Sequence, residues 1–303
     1  MTSTVDTAGR STAKTAPDWR HSKKARFRIT LFFKYIIAAI VVFFSLFPIL
    51  WTISASVNPT SSVSGQKLIP TPATLEHYRT ILNQDFWLWM WNSFKIAAIS
   101  SILVGLITLM SAYAFSRFRW ASRGKLLLLI LLIQVFPAIL AMVALFSILQ
   151  QIGTYIPFLG LNTHGGLILI YMGGAMGINV WLMKGFFDSV PREIDESGKV
   201  DGASDWQIFW QLLFPLVRPI LVVSMILTFF GTYSDYLMPR VMITSASKYT
   251  LMLGLYNFIG DNYSQDWGPF AAGAVLGAIP MVAVYLLLQD YIVGGLTAGS
   301  VKG

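Results

Sequence analysis

Residues 190–219 read VPREIDESGKVDGASDWQIFWQLLFPLVRP, an amphipathic insert set between two long apolar runs. Pro191 suits the first turn of a helix, where a missing N–H costs nothing. Glu193, Asp195 and Glu196 follow, and carboxylates there favour the positive end of the helix dipole. Gly202 can take the left-handed conformation that stops a helix. Ser204 and Gln207 have capping-box spacing, so a second short helix should start there. Trp206, Phe209, Trp210 and Leu213 then fall on one helical face. Pro215 should end or kink that helix, and Pro219 lies near the start of the next apolar run. The segment therefore reads as helix, sharp turn, helix. A hairpin lying on a bilayer prefers a basic polar face. This one is acidic at its front, so a protein partner fits better.

The flanking runs place that hairpin in a membrane protein. The 303-residue chain is 55% hydrophobic and only 12% charged, against about 25% charged residues in an average soluble domain. Six apolar runs occur at 32–57, 91–115, 126–149, 166–187, 216–237 and 270–293. Each is long enough to cross a hydrocarbon core of about 30 Å as a helix. Lipid offers the backbone no hydrogen bonds, so helices are required. The fold class expected is an all-α polytopic membrane protein with six transmembrane helices.

The charge pattern sets the orientation. Arg20, Lys23, Lys24, Arg26, Arg28 and Lys34 crowd before the first run, as on a cytoplasmic flank. The same distribution argues against nucleic acid as the partner of a chain with net charge +8. A cytoplasmic N-terminus puts Arg117, Arg119, Arg123, Lys125, Lys184, Arg192, Lys199 and Arg218 inside. Lys67, Arg79, Arg240 and Lys248 fall outside. Both termini are then expected in the cytoplasm. The first run could also be a secretory signal, but its apolar length exceeds the usual 7–15 residues or so. It reads as a retained span.

The expected layout is a disordered basic tail at 1–30, a first span at 31–57 and an outer segment at 58–90. A core at 91–293 and a tail at 294–303 complete it. Within the core, the cytoplasmic loop spans 189–219 and a long outer loop 239–269. That outer loop carries Tyr249, Tyr256, Phe258, Tyr263 and Trp267. These aromatics read as an interfacial belt or as a docking surface for an outside partner. The chain has no cysteine, and His21, His77 and His164 are scattered, so no metal-ligand set is expected. No phosphate-binding loop ending in Gly-Lys-Ser/Thr is present, and no catalytic set stands out. Gln134, Asn179 and Asp235 are polar groups in or near spans. They are candidates for helix–helix hydrogen bonds or for lining a pathway.

Glu196-Ser197-Gly198, Asp201-Gly202-Ala203 and Leu212-Leu213-Phe214-Pro215 resemble the EAA loop of ABC importer permeases. Ser197 and Gly198 stand where that pattern has alanines. Tyr249-Thr250-Leu251, Trp267-Gly268, Phe270-Ala271-Ala272 and the tail 295–303 resemble the smaller membrane subunit of maltose/maltodextrin importers. The resemblance covers the chain from about residue 30 onward. It implies a type I permease fold whose cytoplasmic coupling loop seats in an ATPase. Glu196, Ser197, Gly198, Asp201, Gly202, Ala203, Phe209, Leu212 and Pro215 would form that coupling contact. Thr297, Gly299, Val301 and Lys302 of the tail would reach the ATPase pair. Tyr256, Phe258, Tyr263 and Trp267 would meet a sugar-binding protein outside. The implied partners are a second permease subunit, two ATPase subunits, that binding protein and membrane lipid. MgATP would be bound by the ATPases, with no cofactor on this chain. Maltose or maltodextrin is the expected cargo, with trehalose or another sugar as the alternative. An ion-coupled secondary transporter would need charged residues in mid-span, and these runs are nearly charge-free.

Overall fold

The computed structural model describes residues 23–62, 66–260 and 265–298, and all regular structure among them is helical. The chain divides into two units, Met1–Trp51 and Thr52–Gly303. In the first unit, helix α1 (Lys23–Val57) begins inside the stretch expected as a disordered tail and runs as far as Trp51 before crossing into the second. Beyond Lys34 it is apolar all round, with Phe43 and Phe44 exposed. A helix of that kind needs lipid or protein as its surroundings.

The second unit is built on α3 (Phe86–Arg117), preceded by α2 (Glu76–Leu82). The connection from α3 leads through α4 (Arg123–Val135) and α5 (Ala138–Tyr155) to α6 (His164–Ser189). The hairpin segment contributes α7 (Glu193–Val200) and α8 (Asp205–Gln207). A π-helical turn, Ile208–Leu213, then leads directly into α9 (Phe214–Tyr233). Two short helices, α10 (Leu237–Met242) and α11 (Leu251–Tyr256), precede α12 (Trp267–Ala298). Helix α3 packs along both α6 and α9, and α9 packs along α12. Gly105 permits one of these approaches, because a β-carbon there would lie 2.6 Å from Met225.

The apolar runs map onto four unbroken helices long and apolar enough to cross a membrane, or up to six if each of two bent pairs counts as one span. The run expected at 126–149 is not a straight helix. It breaks between α4 and α5 with a bend of 105°. Phe136 sits in extended conformation before Pro137, as steric conflict with the proline ring demands. Helix α6 bends by 47° between Gly174 and Met176. The carbonyl of Gly174 accepts a hydrogen bond from Gln134 Nε2 at 3.0 Å.

The fifth run was expected to continue to Leu237, but α9 stops at Tyr233. Asp235 Oδ1 accepts from the backbone N–H of Leu237 at 2.9 Å and so caps the start of α10. The stretches expected to lie outside are more folded than their loop-like composition implies. Phe86 and Trp89 are buried in the first turns of α3. Leu251, Leu253 and Leu255 of α11 are buried as well.

Polar side chains pin this segment. Asn92 Nδ2 donates to the carbonyls of Ser247 and Tyr249 at 3.2 and 3.0 Å. Ser93 Oγ accepts from the N–H of Leu251 at 2.8 Å. Asn162, at φ 56°, accepts from the N–H groups of Thr244 and Ser245 at 3.1 and 3.0 Å. Asparagine tolerates that left-handed conformation better than most residues.

Gly254 lies under the Trp89 ring, where a β-carbon would approach to 2.2 Å. Gly254→Val should therefore destabilise the detergent-solubilised protein by about 1–3 kcal/mol, read as a lower thermal midpoint. Gly231→Ala, where a β-carbon meets nothing within 4 Å, should be neutral or stabilising by up to about 1 kcal/mol. Equal behaviour of the two variants would contradict the packing described.

Candidate functional site

The hairpin forms as its residues dictate. Gly202 has φ +80°. The N–H of Gly202 bonds to the carbonyl of Lys199 at 3.1 Å, and that of Ala203 to the carbonyl of Gly198 at 2.9 Å. These two bonds make the Schellman ending, which satisfies the last carbonyls of α7. Ser204 and Gln207 then cap α8 reciprocally. Gly198 is buried against α8's continuation, and a β-carbon on it would lie 2.9 Å from both Ile208 and Leu212. The glycine lets the two arms approach closely, which outweighs its poor helix propensity.

Pro215 does not end the second arm. It falls in the first turn of α9, directly after the π-helical turn. A proline has no N–H to give to the preceding turn, and the wider π turn absorbs that loss.

The aromatic stripe divides. Phe209 and Leu213 are buried with Ile208 against Tyr113 and Phe187. The Tyr113 and Phe209 rings lie 4.7 Å apart. Trp206, expected on the same face, is 64% exposed. Its ring meets Trp210 edge-on at 5.5 Å and stacks on Phe209 at 6.1 Å. Phe209 thus roots the hairpin in the bundle. Glu196, Ser197, Asp201, Gly202, Leu212 and Pro215 are exposed, and Ala203 is half-buried. Val200 and Trp206 add apolar exposure beside Gly202, at 87% and 64%.

The root is held by charges whose role the sequence did not disclose. Arg117, at the last turn of α3, donates from Nε to Asp195 Oδ1 at 3.1 Å. A second guanidinium nitrogen lies 3.0 Å from Asp195 Oδ2. The remaining donors reach the carbonyls of Phe187 and Val190, each at 3.1 Å. One side chain therefore joins α3, the end of α6 and α7. Arg192 answers in reverse, donating to the carbonyl of Ser116 at 3.2 Å. Ser116 Oγ donates to Asp188 Oδ1 at 2.6 Å, and Lys184 pairs with Asp188. The signal was a lone arginine ending an apolar run, which the charge-asymmetry rule counts but does not place. By contrast, Lys199 and Asp205 pair at 3.3 Å with both side chains over 60% exposed, and such pairs contribute little.

The other expected residues separate as follows. Gln134 bridges α4 to α6, and Gly177 leaves room for its side chain. Asn179 and Asp235 line one cleft of about 550 Å³, together with Tyr171 and Thr228. Tyr256 is exposed and stacks on Tyr236 at 4.3 Å. Phe258 and Trp267 are half-buried. The Trp267 N–H bonds to the carbonyl of Ser61 at 2.9 Å. Tyr263, Gly299, Val301 and Lys302 lie outside the described residues, as does the side chain of Thr297. Among the described residues no group of His, Cys, Asp and Glu could hold a metal ion.

Removing Arg117 leaves Asp195 without its cation. Arg117→Ala should cost about 3 kcal/mol, the scale for breaking a buried pair. The double variant Arg117→Ala with Asp195→Ala should lose less in melting temperature than the sum of its two single variants. Additive losses in this double-mutant cycle would show that the two side chains are not coupled.

Residues 105–297 match the family described as binding-protein-dependent transport system inner membrane component. The maltose/maltodextrin transport system permease protein MalG of Vibrio vulnificus strain YJ016 is 40% identical over 274 residues, 85% of this chain and 91% of its own. The MalG permease of Escherichia coli K12 is 37% identical over 298 residues, 93% of this chain and 98% of its own. A solved bacterial ABC transporter involved in import of the acidic polysaccharide alginate superposes with a TM-score of 0.72. That match covers 89% of this chain and 98% of the other at 23% identity, a likeness of fold.

Proposed function

This chain belongs to the family of binding-protein-dependent transport system inner membrane components, and from that premise we propose that it forms half of the translocation pathway of an ATP-driven sugar importer. Hydrolysis of MgATP belongs to two partner ATPase subunits, and a second permease completes the pathway. Maltose or maltodextrin is the cargo on this reading, after the named relatives, with trehalose as the alternative. The chain crosses the inner membrane six times, each bent pair counting as one span, with both termini in the cytoplasm. Tyr256, Phe258, Tyr263 and Trp267 belong to the outer face offered to a sugar-binding protein, and the tail with Thr297, Gly299, Val301 and Lys302 to the ATPase side.

One observation carries the coupling role. The hairpin has an exposed tip and a root fixed by Phe209, Leu213 and the Arg117–Asp195 pair. An exposed face at Glu196, Ser197, Asp201, Gly202, Leu212 and Pro215, seated in an ATPase, can transmit displacement only if its root does not yield. Gly198 and Ala203 serve from within, by letting the arms close. Closure of the ATPases on ATP then carries the hairpin, and with it α3, α6 and α9. Such a movement would switch the pathway between inward- and outward-facing.

Gly202→Val forces a β-branched residue into the left-handed region, which costs about 1–3 kcal/mol of strain. It should abolish uptake while leaving the protein in the membrane. Glu196→Lys should reduce recovery of the ATPase with the tagged permease. Wild-type uptake by the first variant, with undiminished recovery by the second, would contradict the coupling role.

A further inference from the structure

The cations on the hairpin side of the bundle are mostly occupied within the chain. Arg117 and Lys184 pair with Asp195 and Asp188, and Lys199 pairs with Asp205. Arg192 donates to the carbonyl of Ser116, and Arg218 to Tyr291 Oη at 2.7 Å. Arg119 and Lys125 differ. Both are exposed, and neither side chain has a hydrogen bond or ion pair among the described residues. They stand at the two ends of the corner between α3 and α4. No Asp or Glu occurs between Asp85 and Asp188, and Asp188 is itself held by Ser116 and Lys184. The corner is thus a positive patch that this chain does not answer.

Local bonds order the corner. Arg123 donates from its backbone N–H to the carbonyl of Trp120 at 3.2 Å, and from Nη1 to that of Phe118 at 3.3 Å. The Trp120 ring packs on Phe115 of α3 at 5.2 Å. Phe118 and Trp120 nevertheless stay exposed beside the two cations. Next to them α4 presents Leu126, Leu128, Leu129 and Leu132, all exposed. Cations, then aromatic rings, then an apolar face reproduce the layering of headgroup, interface and hydrocarbon. An acidic protein surface fits less well. The corner adjoins the hairpin root through Arg117, and the exposed front of the hairpin carries Glu196 and Asp201. A subunit surface suited to that acidic front would repel a basic corner beside it.

We propose that the α3–α4 corner is a binding surface for an anionic phospholipid of the cytoplasmic leaflet. Arg119 and Lys125 hold the headgroup phosphate, the first through its planar fork and the second as a point charge. Phe118 and Trp120 mark the interface, and the acyl chains lie along the apolar face of α4. The proposal rests on the orientation given above, which puts this corner in the cytoplasm.

Ala121 is exposed in the corner and takes a photoreactive benzophenone amino acid. The complete transporter carrying it is placed in vesicles of equal parts phosphatidylglycerol and phosphatidylcholine, illuminated, and its adducts are identified by mass. Phosphatidylglycerol should exceed phosphatidylcholine by about fivefold for each cation. Arg119→Gln with Lys125→Gln should bring the two lipids to parity, and Arg119→Lys with Lys125→Arg should keep the excess. Equal yields in the parent, or an excess that survives the double neutralisation, would overturn the site. Adducts to an ATPase or to the second permease in place of lipid would overturn it too and assign the patch to that subunit. The orientation is checked separately. The chain has no cysteine, so Ala121→Cys installs a single thiol, which should react with a membrane-impermeant reagent only after spheroplasts are opened. Reaction in intact spheroplasts would overturn the orientation, and with it the leaflet named here.

Discussion

The guanidinium of Arg117 is where three helices become one body. It donates three hydrogen bonds, one to the Asp195 carboxylate of the hairpin and one each to the carbonyls of Phe187 and Val190 at the end of α6, and it pairs with the second Asp195 oxygen at 3.0 Å. The planar fork of arginine suits this division, and a lysine could not reproduce it. The ion pair is largely shielded from water, and buried pairs are weak contributors to net stability even though breaking one is costly. What the pair fixes is register. With Arg117 in place, the α6–α7 corner has one position relative to α3, and Arg192 repeats the constraint from the other side.

That constraint explains the division of the hairpin. Its inner face is apolar and continuous with the bundle core through Phe209, Leu213, Tyr113 and Phe187. Its outer face is polar, with Val200 and Trp206 as apolar points at the tip. The coupling role proposed for the hairpin needs this asymmetry. The π-helical turn before Pro215 makes the second arm continuous with α9, so the hairpin and that span are one rod rather than two hinged pieces. The opposite end of the bundle is closed by the buried α11, whose first N–H bonds to Ser93, and by residues 244–249 before it, which bond to Asn92 and Asn162.

Much of this was legible in the sequence because local chemistry decided it. The left-handed turn at Gly202, the capping box of Ser204 and Gln207, and the small residue at position 198 depend on a few neighbouring residues. The apolar runs announced helices for the same reason. What could not be read depended on distant partners. Hydropathy does not separate a straight span from one broken at Pro137, since both halves are equally apolar. Trp206 and Phe209 share a helical stripe, and only the position of Tyr113 decides which is buried. The stretch expected as an outer loop at 239–269 looks unstructured by composition, yet within it Gly254 packs under Trp89 and the Leu251 N–H bonds to Ser93. Arg117 was visible as a charge, but its partners lie 78 residues away in Asp195 and in carbonyls that no sequence displays.

The central claim is that the hairpin and α3 move together. Spin labels on Ser197→Cys, exposed on α7, and Ile102→Cys, exposed midway along α3, test it by pulsed electron spin resonance in the complete transporter. The account predicts one distance distribution, unchanged between the nucleotide-free and ATP-trapped states. A shift of several ångströms, about a helical turn, would mean that the root yields and that the hairpin is a hinge.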